Sequence, residues 1–305
     1  MTRVFGVDYQ FLSCGDVFTE GLAHAAADLG LAYAHADWAA PDLGFQIETF
    51  APDLILVVHG RRFAQRFPNL KGFGVPRAVW LLDEPYEVDD TATFSSRFDY
   101  VFVNDIASLA RHPRAALLPV CYDPHVHVGA AHPRPFRVGF IGGGNPARDH
   151  VLGALARAGQ LDYVVGGAWD DPDVARRCVS AGVIARETAR YYQSTRVVVN
   201  VFRDRHHFNR EAIPATAMNP RIYEALACGA LVVSEPRPEL YARVPQLPTF
   251  THADEAVAIV ADLLAPAAAE EVERLRGRCA AALAGDTYAA RLQTVLAVVG
   301  AQVAA

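Results

Sequence analysis

The sequence predicts an α/β protein built from two parallel-sheet domains. Three observations carry that expectation. Short apolar runs alternate with amphipathic stretches, the alternation breaks once, and 305 residues fit two domains of about 100–200 residues each. With 52% hydrophobic and 20% charged residues, the chain can bury large cores.

The first set of elements opens at Arg3–Asp8, an apolar strand, followed by a helix over Gly15–Leu29 that stops at Gly30. Ala32–Ala36, Asp53–His59, Arg77–Leu82, Tyr100–Asn104 and Ala116–Val120 read as further strands. Several are unbroken apolar runs, as strands covered on both faces should be. From Asp123 to Pro135 three prolines and three histidines stand with little apolar period, and the stretch reads as an interdomain linker. A second set follows, with strands at Arg137–Ile141, Tyr163–Val165, Val197–Phe202 and Leu231–Ser234. The tail from Ala256 to Val303 reads as helix.

Composition excludes some classes. Acidic residues outnumber basic ones by 34 to 28, which disfavours nucleic acid as the main ligand. No run reaches the ~18 apolar residues of a membrane span, and Met1 leads straight into strand without a leader. Five scattered cysteines (Cys14, Cys121, Cys178, Cys228, Cys279) fit a reducing compartment, so the expected location is cytoplasmic. Asp123, His125 and His127 have the chemistry of metal ligands but no partner cluster nearby, and no metal site is expected.

Open parallel sheets bind ligands beyond the carboxyl ends of their strands, which directs attention to the loops there. The clearest local signal is the helix opened by Asn219-Pro220-Arg221 and closed by Gly229. Asn219 suits the N-cap, Pro220 the first helical position and Gly229 the left-handed stop. The helix start favours an anion such as a diphosphate, and Arg221 adds a forked cationic donor. Glu224, one turn further, has the chemistry to hold a ribose diol. The plain alternative is an Arg221–Glu224 surface pair on a face shared with Cys228.

Val138 to Arg148 forms a strand, the glycine turn Gly142-Gly143-Gly144 and a helix start carrying Arg148. Glycine N–H groups and Arg148 together suit a phosphate; the alternative is a tight turn that touches no ligand. Gly142, Gly144 and Ala147 also match a dinucleotide fingerprint, which opens a rival reading as an NAD-dependent oxidoreductase. That fingerprint wants an acidic residue at the end of the next strand, whereas Asp162 precedes the strand Tyr163–Val165.

Asn219 to Ser234 resembles the donor motif of group 1 glycosyltransferases, and more narrowly their CgeB-like, spore-maturation branch. Trp80-Leu81-Leu82-Asp83-Glu84-Pro85, Phe102-Val103-Asn104-Asp105, Leu118-Pro119, Val138 to Gly142, Arg148, Val199-Asn200 and Thr287 to Arg291 extend the likeness in the family's order. The resemblance implies a GT-B fold, two Rossmann-like α/β domains facing each other across a cleft. It implies an acceptor-side domain over 1–125, a donor domain over 136–285, and a helix over 286–305 crossing back to the first. It implies a hexosyltransferase-like enzyme moving a sugar, a UDP-sugar favoured, to a hydroxyl acceptor without a metal or a cofactor beyond the donor. Arg221 and Glu224 would contact diphosphate and ribose. Many members carry a second glutamate where this chain has Thr216, which leaves the sugar and the stereochemical outcome open. A non-catalytic nucleotide-sugar binding protein of the same fold is the third reading.

Other candidates sit at strand ends. His59 would polarise a substrate group, and Asp83 would accept a proton from the acceptor hydroxyl; the alternative for His59 is a local hydrogen bond. Glu84, Glu87, Asp89 and Asp90 read mostly as solvated loop. Trp169 would stack on a base or join the core, and the basic loop Arg203, Arg205, His206, His207 and Arg210 would close over a diphosphate or stay solvated.

Overall fold

The computed structural model describes residues 1–9, 15–60, 63–130, 132–182, 184–203 and 208–303. The chain divides into two compact units. The first joins Met1–Val120 with Arg205–Ala217 and Thr287–Ala305; the second joins Cys121–Asp204 with Met218–Asp286.

The first unit runs β1 (Arg3–Tyr9), α1 (Gly15–Asp28), β2 (Ala32–Asp37), α2 (Leu43–Phe50), β3 (Leu54–His59), β4 (Arg77–Leu81), α3 (Val88–Ser95), β5 (Tyr100–Val103) and β6 (Ala115–Leu117). The strands form one parallel sheet in the order β2-β1-β3-β4-β5-β6. Alternate residues such as Phe5, Val7, Ile55, Val57 and Val79 pack with Phe63, Phe67 and Phe98 on one face. The C-terminal helix, Tyr288–Val303, lies in this unit. The Tyr288 ring meets Phe18 and Trp80 edge-on, with centroids 6.0 and 6.3 Å away. Gly21 makes room for it: a Cβ there would lie 2.4 Å from the Tyr288 ring. Arg291 donates to the carbonyl of Pro119 at 2.7 Å.

The stretch 208–217 also belongs to the first unit. Phe208 exchanges backbone bonds with Tyr86 and Asp89. Asp105 is fully buried and accepts from the backbone N–H groups of Thr216 and Ala217, at 2.6 and 2.9 Å, and from the Thr216 hydroxyl.

The second unit contains β7 (Phe136–Ile141), α4 (Pro146–Arg157), β8 (Tyr163–Val165), α5 (Pro172–Ala175), β9 (Cys178–Ser180), α6 (Ala185–Gln193), β10 (Thr195–Asn200), α7 (Pro220–Ala227), β11 (Leu231–Ser234), α8 (Pro238–Arg243), α9 (Ala253–Leu264) and α10 (Ala269–Ala282). Its sheet is parallel, in the order β11-β10-β7-β8-β9. The edge strand β9 has no counterpart in the sequence reading; it is three residues long, and its pairing with β8 shifts register at Val164/Val165.

The stretch read as a linker is packed into this unit. Asp123 and His127 are 2% and 1% exposed. Arg134 donates to the carbonyls of Tyr192, Gln193, Thr195 and Cys228, tying the ends of α6 and α7 together. Among the described residues no helix is long and apolar enough to cross a membrane, and no group of three or more His, Cys, Asp or Glu is placed to hold a metal.

Candidate functional site

Strand order reverses once in each sheet. In the second unit the reversal falls between β7 and β10, and the carboxyl ends of those strands are where such a sheet takes a ligand. Two arginines meet there. Arg221, in the first turn of α7, donates Nε to the Ile141 carbonyl at 2.7 Å and Nη1 to Asn200 Oδ1 at 2.6 Å. Arg148, in the first turn of α4, donates to the carbonyls of Gly143 at 2.7 Å and Val201 at 3.2 Å. Their guanidinium carbons lie 4.5 and 5.4 Å from the centroid of one ring, Phe140. Each arginine thus braces the end of β7 and the end of β10 from a helix start.

The three glycines divide the work. Gly142 has φ +153°, and a Cβ on it would lie 2.6 Å from Arg221 Nη2. Gly144 is packed against the neighbouring loop: its N–H donates to Gly167 at 2.9 Å, and a Cβ would lie 2.0 Å from the Ala168 carbonyl oxygen. Gly143 is exposed, with open space around it. The spacing that resembles a dinucleotide fingerprint therefore serves loop-on-loop packing at Gly144. The following strand, β8, ends without a carboxylate, since Asp162 pairs with Arg137 at 2.7 Å on the far side of the strand.

Asn219 occupies the N-cap position of α7, but its side chain makes no cap bond. Its Nδ2 instead donates to Asn200 Oδ1 at 2.8 Å. Asn200, fully buried at the end of β10, is the hub that the sequence reading passed over as one weak family match. Its Oδ1 receives Asn219 and Arg221, and its Nδ2 donates to Ser234 at 2.8 Å. The available signal was an amide ending a run of valines, a buried polar group in need of partners.

Glu224 is 6% exposed, and Cys228 is fully buried, so the face they share with Arg221 is not a surface face. Burial pushes the Cys228 thiol upward. Trp169 is half-buried, edge-on to Phe140 at 5.7 Å, and its indole N–H donates to Gly166 at 2.6 Å; it lies against the core of the unit. Arg210 belongs to the first unit, where it pairs with Asp89 at 3.3 Å. Arg205, His206, His207 and Cys14 lie outside the described residues.

In the first unit the reversal falls between β1 and β3, at Tyr9 and His59. His59 is 1% exposed, its ring stacked on Phe63 at 3.8 Å and on Tyr9 at 5.0 Å. Burial holds its imidazole down to about 3, so it is neutral near pH 7. Asp83 follows β4 and is half-buried. The acidic run after it is not solvated loop: Glu84 and Glu87 are 1% and 2% exposed, and Asp90 accepts the Phe63 N–H at 2.7 Å. A further pair escaped the sequence reading. Asp8 on β1 meets His35 Nδ1 on the edge strand β2 at 2.6 Å, and the hydrogen bond the ring donates to Asp8 raises the imidazole above its ordinary value against partial burial.

The structure thus gathers Gly142, Gly143, Gly144, Arg148, Asn219 and Arg221 at one strand reversal, with Glu224 on α7 and Trp169 beside Phe140. His59 and Asp83 stand at strand ends of the other unit.

Residues 148–297 match the model of a glycosyl transferase-like family. No curated protein sequence matches the chain at a significant level. Among solved structures, HepE of Anabaena, in complex with UDP and glucose, is 12% identical with a TM-score of 0.65, over 98% of this chain and 100% of that one. The MnaA–UDP structure from S. aureus is 11% identical with a TM-score of 0.59, over 98% and 96%. An alpha,alpha-trehalose-phosphate synthase (UDP-forming) from Burkholderia vietnamiensis is 12% identical with a TM-score of 0.59, over 98% and 100%. Likeness at this identity concerns the fold, which these structures share nearly end to end. The chain thus carries the GT-B fold along its length and a glycosyl transferase-like segment over residues 148–297.

Proposed function

We propose that the protein moves a sugar from a nucleoside diphosphate donor, a UDP-sugar, to a hydroxyl-bearing acceptor, without a metal. The observation that carries this reading is the convergence of Arg148 and Arg221 on the β7–β10 reversal, beside the open Gly143. Charge grows on the diphosphate as the bond to the sugar breaks. Two guanidinium groups, the Gly143 N–H and the start of α7 would stabilise it there. These cations stand in for a metal as the Lewis acid on the leaving group. Asn219, held by Asn200, fixes the start of that helix, and Glu224 holds the ribose diol. Trp169, bonded to Gly166, walls the base side rather than stacking on it.

On the acceptor side, Asp83 takes the proton from the attacking hydroxyl. His59, neutral and stacked between rings, is suited to a hydrogen bond and not to proton transfer. The motifs around Asp83 and Glu224 favour the CgeB-like branch, and the scattered cysteines favour a cytoplasmic location. UDP-bound relatives of the same fold support the choice of base.

The test is a melting-temperature series with UDP, GDP, dTDP, CDP and NAD. A ligand at about 100 times its Kd should stabilise the fold by about 2.7 kcal/mol. The reading expects UDP to give the largest shift and NAD none. A shift with NAD alone would restore the oxidoreductase reading, and UDP binding without UDP release from any UDP-sugar would favour a binding protein.

A further inference from the structure

The turn after β4 buries more polar chemistry than a strand-to-helix turn requires. Glu84 follows Asp83 directly and is 1% exposed. Three elements bring partners to it. From α3, the Thr91 hydroxyl donates to one carboxylate oxygen at 2.5 Å. His112 sets Nε2 3.3 Å from the other oxygen, with both side chains fully buried. Beyond β5, Asn104 accepts the Glu84 backbone N–H at 3.0 Å, while its own N–H donates to Leu81 at 3.1 Å. A buried carboxylate is costly unless its oxygens are met; here the Thr91 hydroxyl meets one, and the other has the His112 ring at ion-pair distance without a hydrogen bond.

We propose that Glu84, Thr91 and His112 are positioning residues for Asp83. They fix the peptide that carries Asp83 and leave its carboxylate at the strand end, acting through it and touching no substrate. The inference rests on the reading of Asp83 as the proton acceptor. The turn has other ties, Leu82 N–H to His59 at 2.8 Å and Glu87 N–H to Asp83 at 3.2 Å, but these are backbone bonds. The Glu84 side chain links the turn to both α3 and His112. Loosening a reacting group by about 1 Å costs up to roughly a hundredfold in rate.

Thr91→Val keeps the shape of the side chain and removes the hydroxyl; Thr91→Ser keeps the hydroxyl. Turnover is read in the full-length protein as UDP release from UDP-glucose with water as acceptor. Thr91→Val should lower kcat about tenfold with KM for UDP-glucose within about twofold, and Thr91→Ser should restore most of it. Added to Asp83→Asn, Thr91→Val should cost nothing further, because it acts through the group already lost. Amide exchange over residues 82–87 should quicken in Thr91→Val and not in β4; His112→Gln serves as the second variant should Thr91→Val misfold. Losses that multiply in the double variant, or unchanged exchange over 82–87, overturn the positioning role. An Asp83→Asn variant with normal kcat overturns the reading of Asp83 itself, while quickened exchange would still show the tie.

Discussion

The two strand reversals are built from opposite chemistry. At β7–β10 the sheet ends in glycines and amides braced by two arginines, whose guanidinium groups donate to the carbonyls and the amide oxygen there. At β1–β3 the sheet ends among rings and carboxylates, with a neutral His59 stacked between Tyr9 and Phe63 and the Asp8–His35 pair on the next strand. On the proposed reading, the same topology supplies an anion site in one unit and a site for hydroxyls and protons in the other. Sheet order directs where such a sheet takes a ligand, and on this reading the residues at the strand ends select which charge it carries.

The largest expected effect lies within the glycine turn. Gly144→Ala puts a Cβ 2.0 Å from the Ala168 carbonyl oxygen, whereas Gly143→Ala meets open space. Gly144→Ala should destabilise the protein by about 1–3 kcal/mol, while Gly143→Ala should melt within about a degree of the parent. Equal melting temperatures would break the assignment of Gly144 to loop packing.

Next comes the division of labour on α7. Arg221→Ala should weaken UDP binding about ten- to a hundredfold and leave free uridine unaffected. Glu224→Ala should weaken both, by about tenfold, through the ribose. Calorimetric titration with UDP and uridine separates the two. A structural Arg221–Glu224 bridge would instead lower both melting temperatures and neither affinity.

The smallest effect concerns the other reversal. Asp8 raises the folded pKa of His35, so the charged pair contributes stability in full below about pH 6.5 and loses it as pH rises through the folded value. The imidazole is 42% exposed, and solvent screening keeps the contribution below about 1 kcal/mol. The melting temperature of the parent relative to His35→Asn should fall as pH rises through that window. A gap that widens instead would reverse the assigned sign.

Much of this was legible because its signals are local. Both sheets follow from apolar runs such as Leu54–His59 and Leu231–Ser234, which keep their character wherever the chain packs. Arg148 and Arg221 were legible because each sits in a helix start marked by an Asn-Pro pair or an asparagine cap position. What was not legible depends on distant partners. Asn219 offers its side chain to Asn200 instead of its own helix, and Glu84 is buried because Thr91 and His112 fold onto it. Thr216, where the resemblance implies a glutamate, is claimed by Asp105, far away in sequence. A charge run read without its partners looks like solvated loop, and β9 is too short to carry a period.

The central claim is that diphosphate binds at the arginine-braced reversal of the second unit and not at the acidic one of the first. The most direct measurement is the Kd for UDP of the parent, of Arg148→Ala/Arg221→Ala and of Asp83→Asn. The account predicts a loss of more than about a hundredfold in the arginine variant and a change within about twofold in Asp83→Asn. Near-parental affinity in a folded arginine variant, or an equal loss in Asp83→Asn, would contradict it.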